Sequence, residues 1–72
     1  MAHNVAMEQS KGMRKAELEV RLGLLQTEEH RLQAIISNPL TAPEILSRAS
    51  TDLGRVLGEI RETANELTTI QL

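Results

Sequence analysis

The sequence SNPLTAPE at residues 37–44 separates two segments of helical periodicity and so decides the fold. Asn38 and Pro39 end the first segment, because the residue before a proline is pushed out of the α region and proline cannot donate a hydrogen bond to the preceding turn. The first helix is therefore predicted to end at about residue 37.

A helix-start signal follows almost at once. The Thr41 hydroxyl can accept a hydrogen bond from the backbone N–H of Glu44, while the Glu44 carboxylate can reach back to the N–H of Thr41. Pro43 suits the first turn of a helix. This capping box predicts a second helix over about residues 42–70. The connection, residues 38–41, is so short that the two helices should be antiparallel neighbours.

The second segment has the heptad spacing of a coiled coil. Its apolar seam recurs at alternating steps of three and four residues: Leu46, Ala49, Leu53, Val56, Ile60, Thr63, Leu67 and Ile70. A first helix of matching length would run over about residues 10–37. Residues 1–9 have little periodicity and are expected to be disordered or frayed, with Asn4 and Ser10 as competing helix caps. The fold predicted for residues 10–72 is an all-α, coiled-coil-like antiparallel two-helix hairpin.

The first segment is apolar on two nearly opposite faces. Its main stripe falls within about 40° of one line when each residue advances the helix by about 100°. That stripe comprises Leu18, Leu22, Leu25, Leu32 and Ile36. Met13, Val20 and Leu24 form a second stripe about 220° away. A hairpin buries one face, so the second stripe is predicted to contact another chain. The alternative is a set of scattered surface hydrophobes.

The far end of the hairpin has too little apolar surface on the first helix. If Ile36 lies beside Leu46, the antiparallel register places Leu67 opposite Lys15 and Ile70 opposite Lys11. Lysine stems can cover part of such a surface. Leu67 and Ile70 are therefore predicted to need a second chain, and the hairpin is expected to be completed as a helical bundle by dimerisation or by a partner.

Two further features of the helices allow two interpretations each. Gly54 and Gly58 lie on the back of the second helix with other small residues, either as a groove that lets another helix approach closely or as tolerated surface glycines.

Glu29 falls near the centre of the main stripe, where an unpaired carboxylate is costly. It either sets the register by pairing with Arg48, Arg55 or a partner's arginine, or it lies at the rim and reaches water.

Composition excludes several classes of protein. The 72 residues form at most one small domain, and the absence of cysteine excludes a disulfide framework and a thiolate metal site. Ten acidic and eight basic side chains leave a net charge of −2, which provides no general field for nucleic acid or an anionic membrane. No apolar run approaches the roughly 20 residues of a membrane span, and residues 1–15 lack the apolar core of a signal peptide. The expected protein is soluble and cytoplasmic.

Catalytic, metal and cofactor sites are not expected. His30 has neither a second histidine nor a carboxylate at the spacing of a helical metal site, and His3 is the one other histidine. A two-helix hairpin also offers no enclosed pocket for a nucleophile.

A nucleic-acid contact would use the basic start of the first helix, but acidic residues interleave with it and no aromatic residue could stack on bases. That basic group comprises Lys11, Arg14, Lys15 and Arg21.

The layout of a helix, the turn NPLTAPE and a leucine-rich helix across residues 15–70 resembles several unrelated helical hairpins. These are the C-terminal coiled-coil domain of some translation-associated ABC-type ATPases, the helical arms of tRNA synthetases and the small co-chaperones of type III secretion needle subunits. The aromatic residues often found in the ATPase hairpin are missing here. The predicted function is a non-enzymatic protein–protein interaction module, such as a small adaptor or co-chaperone. A nucleic-acid or ribosome-contacting arm and a structural coiled-coil spacer are the alternatives.

Overall fold

The structure is a computed structural model that describes the backbone of residues 2–71 and the side chains of residues 11–70. It contains two helices, α1 at Ala2–Ser37 and α2 at Pro43–Gln71, and no strand within residues 2–71. They pack along one another in a rod of 61 × 15 × 14 Å. The predicted all-α antiparallel hairpin is confirmed.

α1 is helical from Ala2, so the backbone of residues 2–9 and both candidate caps lie within the helix. The expected fraying of residues 1–9 stays a prediction, and the side chains of Asn4 and Ser10 lie outside the described ones. At the other end, α1 stops at Ser37, the residue before Asn38, where the sequence of the turn begins.

The turn is held by hydrogen bonds to Asn38, its first residue, and to Ile35 in the last turn of α1. The N–H of Thr41 donates to the carbonyl of Asn38 at 3.1 Å, and the N–H of Leu40 donates to Asn38 Oδ1 at 2.9 Å. The Thr41 hydroxyl donates to the carbonyl of Ile35 at 2.7 Å. The N–H of Asn38 donates to the same carbonyl at 3.3 Å, so Ile35, in the last turn of α1, accepts two hydrogen bonds from the turn. Among the described hydrogen bonds, none joins Thr41 to Glu44, so the predicted capping box is wrong although α2 begins at Pro43.

The main core cluster lies in the half of the hairpin next to the turn. Its buried members are Leu32 from α1 and Ala49 and Val56 from α2, with at most 4% of each residue exposed. Partly buried side chains from both helices pack around them. These are Leu25, Ile35, Ile36, Leu53 and Ile60. The cluster therefore uses the main stripe of α1 and the heptad seam of α2.

The open half of the hairpin buries Leu18, Thr63 and Leu67. The Thr63 hydroxyl donates to the carbonyl of Glu59 at 2.7 Å, so this buried polar group is satisfied within its own helix. Leu67 is only 8% exposed, and the prediction that it needs a second chain to be buried is wrong.

The cover of Leu67 follows from the register of the open end. Arg14 Nη2 lies 2.7 Å from Glu66 Oε2, which fixes this part of α1 against α2. The side chains of Arg14 and Lys15 are 49% and 45% exposed, so about half of each is withdrawn from water. We infer that their aliphatic stems cover Leu67. Ile70 is partly buried one turn further on.

Candidate protein-interaction surfaces

The outer stripe of α1, which we define as Met13, Val20 and Leu24, is the most exposed apolar surface of the described helices. These side chains are 67%, 63% and 68% exposed, and they lie on the side of α1 that faces away from α2. Val20 and Leu24 line a shallow apolar depression together with Ala16, Glu17 and Arg21. The structure thus leaves the predicted stripe uncovered, and its role in binding stays a prediction.

A second apolar surface runs along one side of α2 and had no counterpart in the sequence predictions. We call it the lateral stripe of α2 and define it as Leu46, Leu53, Leu57 and Ala64. Leu46 and Leu57 are 36% and 40% exposed, and Leu53 and Ala64 are partly buried. The steps between these residues are seven, four and seven, which places them about 60° from the centre of the buried face. This spacing could have revealed the stripe, but Leu46 and Leu53 also fit the heptad seam and were assigned to it alone.

Two apolar side chains lie at the tip of the hairpin. Leu40 in the turn is 89% exposed, and Ile45 in the first turns of α2 is 53% exposed. Leu40 belongs to no periodic stripe because it lies outside both helices, and Ile45 lines a shallow depression together with Ile35. Single exposed hydrophobes of this kind are common and need no partner to explain them.

Gly54 and Gly58 lie on the back of α2, turned away from its buried seam. A Cβ added at either glycine would meet no atom within 4 Å, apart from the helix's own neighbouring backbone. Neither glycine is therefore required by packing within the hairpin. Both interpretations of these glycines, a docking groove and tolerated surface residues, stay predictions.

Glu29 lies at the edge of the contact between the helices and is partly buried. No salt bridge of the described side chains involves it, and Arg55 instead pairs with Glu59 at 3.1 Å. None of the described side chains has a buried oxygen or nitrogen without a hydrogen-bond partner, so the Glu29 carboxylate is in contact with solvent. This geometry corresponds to the rim interpretation within one chain. A pairing with a partner's arginine stays a prediction.

The broad face opposite the lateral stripe is charged. The guanidinium of Arg31 donates from Nε to Glu28 Oε2 at 3.1 Å, and this hydrogen bond lowers the pKa of Glu28. Asp52 and Arg55 approach this pair from α2 and contribute weaker electrostatic interactions. Further along the same face, the hydrogen bond to Glu66 raises the pKa of Arg14.

Two of the four basic side chains at the start of α1, Arg14 and Lys15, face carboxylates. Arg14 pairs with both Glu66 and Glu17, and Lys15 Nζ lies 3.9 Å from Glu19 Oε1. A cationic patch whose members already face carboxylates attracts phosphate less strongly than an unpaired one. This arrangement therefore favours a solvated charged surface at the start of α1.

The described side chains of residues 11–70 include no group of three His, Cys, Asp or Glu that could hold a metal ion. His30 is exposed, and the side chain of His3 lies outside the described residues. Over the same described part of the chain, neither helix contains an apolar segment long enough to cross a bilayer.

Comparisons of the chain with family models, with curated proteins and with solved structures gave no match.

Proposed function

We propose that the chain is a non-enzymatic protein–protein interaction module, a small helical adaptor or co-chaperone that binds a helical partner through the outer stripe of α1. The observation that carries this proposal is the exposure of Met13, Val20 and Leu24, which is at least 63% for each of them on one face of one helix. Three large apolar side chains aligned in this way form a hydrophobic surface whose burial is favourable.

The spacing of the outer stripe indicates what kind of partner would fit. Residues separated by seven and then four positions form a line along a helix, which a second helix with its own apolar stripe can follow. The exposed Glu17 and Arg21 flank the depression at Val20 and Leu24, and they would remain at the polar rim of such a contact. The expected partner is therefore an amphipathic helix of another protein, and the absence of cysteine fits a reducing compartment such as the cytoplasm.

Sedimentation velocity of the fluorescently labelled chain, in buffer and in cell extract, tests this function. We expect the chain in extract to sediment faster than in buffer and Leu24→Asp to remove the difference, because an aspartate in the stripe would have to be desolvated on binding. Gln26→Asp is the matched control, since Gln26 is exposed on the same helix about 160° away. Equal sedimentation of all three proteins in buffer and extract would contradict the proposal.

The alternatives are less well supported by the geometry. A nucleic-acid-contacting arm would use Lys11, Arg14, Lys15 and Arg21, of which Arg14 and Lys15 already pair with carboxylates. A structural spacer gives no reason for the exposed stripe on α1. Binding to RNA at low salt that weakens steeply as salt is raised would favour the first alternative over the proposed function.

A further inference from the structure

Most charged side chains beside the outer stripe of α1 are paired within the chain. Arg14 Nη2 lies 2.7 Å from Glu66 Oε2, and Arg14 Nη1 lies 3.5 Å from Glu17 Oε2. Further along α1, Arg31 pairs with Glu28. Because these charges already face an opposite charge, they give no preference for a partner of either sign.

Arg21 is the exception at this surface. Its side chain is exposed and lines the apolar depression together with Val20 and Leu24. None of the ion pairs among the described side chains involves Arg21. The carboxylate at the spacing of a helical ion pair, Glu17, pairs with Arg14 instead. The depression therefore has an apolar floor and one positive charge that nothing in the described chain balances.

The position of Arg21 separates it from the other unpaired charges of α1. Within the described side chains of α1, Lys11 and Glu29 are the two others without an ion pair. Both lie on the side of α1 nearer α2, whereas Arg21 lies about 80° from the centre of the outer stripe. Among the described residues, Arg21 is thus the one charge on the outward side of α1 that is left for a partner.

We propose that the partner of the outer stripe is an amphipathic helix with a carboxylate opposite Arg21, so that Arg21 determines which helix binds. The apolar side chains of that helix cover Val20 and Leu24, and its carboxylate accepts hydrogen bonds from the guanidinium at the rim. A charge at the rim of an interface contributes more to the choice of partner than to affinity. The inference rests on the proposed function and adds the chemistry of the partner.

A second copy of this chain does not supply the carboxylate. The acidic residue that lines its own depression, Glu17, already pairs with Arg14. Two outer stripes placed face to face would each carry an unpaired Arg21, and like charges across an interface are unfavourable. The occupant is therefore a helix of a different protein.

The edge of the outer stripe opposite Arg21 suits the approach of such a helix. Ala16 and Gly23 lie on that edge. A Cβ added at Gly23 would meet no atom within 4 Å, apart from the helix's own neighbouring backbone. A partner helix can lie close to α1 over these small residues, with its acidic edge directed to Arg21.

Selection from a displayed peptide library, with the purified full chain as bait, tests the inference. Each peptide is a helix of about three heptads, in which core positions vary among Leu, Ile, Val and Ala and edge positions vary among Glu, Gln and Lys. We expect the unmodified chain to enrich Glu at the edge positions. With Arg21→Glu as bait, the enriched residue should change to Lys, because the charge at the rim is reversed.

Arg61→Glu is the matched control for the reversal. Arg61 is also exposed and has no ion pair among the described side chains, but it lies on α2, away from the outer stripe. This variant makes the same change of net charge and should still enrich Glu. A synthetic peptide of the selected sequence should bind the unmodified chain about three- to tenfold more tightly than Arg21→Glu in dilute buffer. The difference should shrink in 1 M salt, where the screening length is about 3 Å.

Leu24→Asp distinguishes this inference from the proposed function. If the selected helices failed to bind Leu24→Asp but showed no charge preference that depends on Arg21, the outer stripe would remain a binding surface and the role of Arg21 would be refuted. If the unmodified chain enriched no helix, both proposals would be contradicted.

Two other occupants of the stripe would overturn the inference. A dimer of the purified chain that Leu24→Asp dissociates would mean that a second copy covers the stripe. Tighter binding to an RNA oligonucleotide or to anionic lipid vesicles than to any selected helix, lost in Arg21→Glu, would place Arg21 in a phosphate-binding surface instead.

Discussion

The turn half and the open half of the hairpin are stabilised in different ways. Next to the turn, Leu32, Ala49 and Val56 form a buried cluster, and the Thr41 hydroxyl fastens the connection to the end of α1. At the open end, Leu18 and Leu67 are buried without belonging to that cluster. The main core cluster therefore lies in the turn half of the rod. We expect the two helices to separate first at the open end, where fewer buried apolar side chains hold them together.

The largest expected effect comes from truncating the core of the turn half. Leu32→Ala should lower the free energy of unfolding by about 2–5 kcal/mol, the range for a buried leucine that leaves a cavity. Leu18→Ala in the open half should cost less, because the flexible side chains around it can collapse into the space. Urea denaturation at one fixed protein concentration measures both, because the stability of any chain that associates depends on its concentration.

Leu40→Ala is the control for the two truncations. Leu40 is 89% exposed in the turn, so its loss should change the free energy of unfolding by less than about 0.5 kcal/mol. If Leu18→Ala proved as costly as Leu32→Ala, the two halves would be equally well packed and the distinction between them would be lost.

A smaller effect is expected from the hydrogen bond that fastens the turn. Thr41→Val removes the hydroxyl that donates to the carbonyl of Ile35 and should lower the free energy of unfolding by about 1 kcal/mol. Thr68→Val is the matched control, because the Thr68 hydroxyl donates to the carbonyl of Ala64 within one exposed helix, where water can replace it. Equal losses for the two variants would show that the Thr41 bond contributes nothing specific to the turn half.

The sequence was sufficient to predict the fold because its signals are local and agree with one another. Pro39 and Pro43 bracket the connection, and the spacing of apolar residues indicates which side of each helix is buried. The outer stripe of α1 was predicted for the same reason, since its exposure follows from its angle to the main stripe. The Thr41 hydrogen bond was not predictable, because a hydroxyl can both donate and accept, and whether it reaches the carbonyl of Ile35 depends on how the turn folds back on α1.

The sequence assigned the burial of two leucines wrongly, Leu67 and Leu46, because burial depends on the side chains of the opposing helix as well as on helical angle. Leu67 was expected to be only partly covered because lysine lies opposite it, but it is 8% exposed and lies next to Glu66, which pairs with Arg14 of α1. Leu46 was expected to be in the core, but it is 36% exposed at the edge of the contact. A helical projection gives the angle of each residue around its helix. It does not say how wide a part of that helix the opposing helix covers, so residues near the edge of the contact cannot be assigned as buried or exposed.

The smallest expected effect concerns the ion pair at the open end. Glu66→Gln removes the carboxylate that Arg14 approaches at 2.7 Å, and both side chains are about half exposed. We expect a slightly lower melting temperature in dilute buffer and faster amide hydrogen exchange around Leu18. Both differences should disappear in 1 M salt, where the screening length is about 3 Å. Glu62→Gln makes the same change of charge without removing any described ion pair, so it should have neither effect at low salt. If the two variants behaved alike, the ion pair would not hold the open end together, and the packing of Leu18 and Leu67 alone would have to account for its stability.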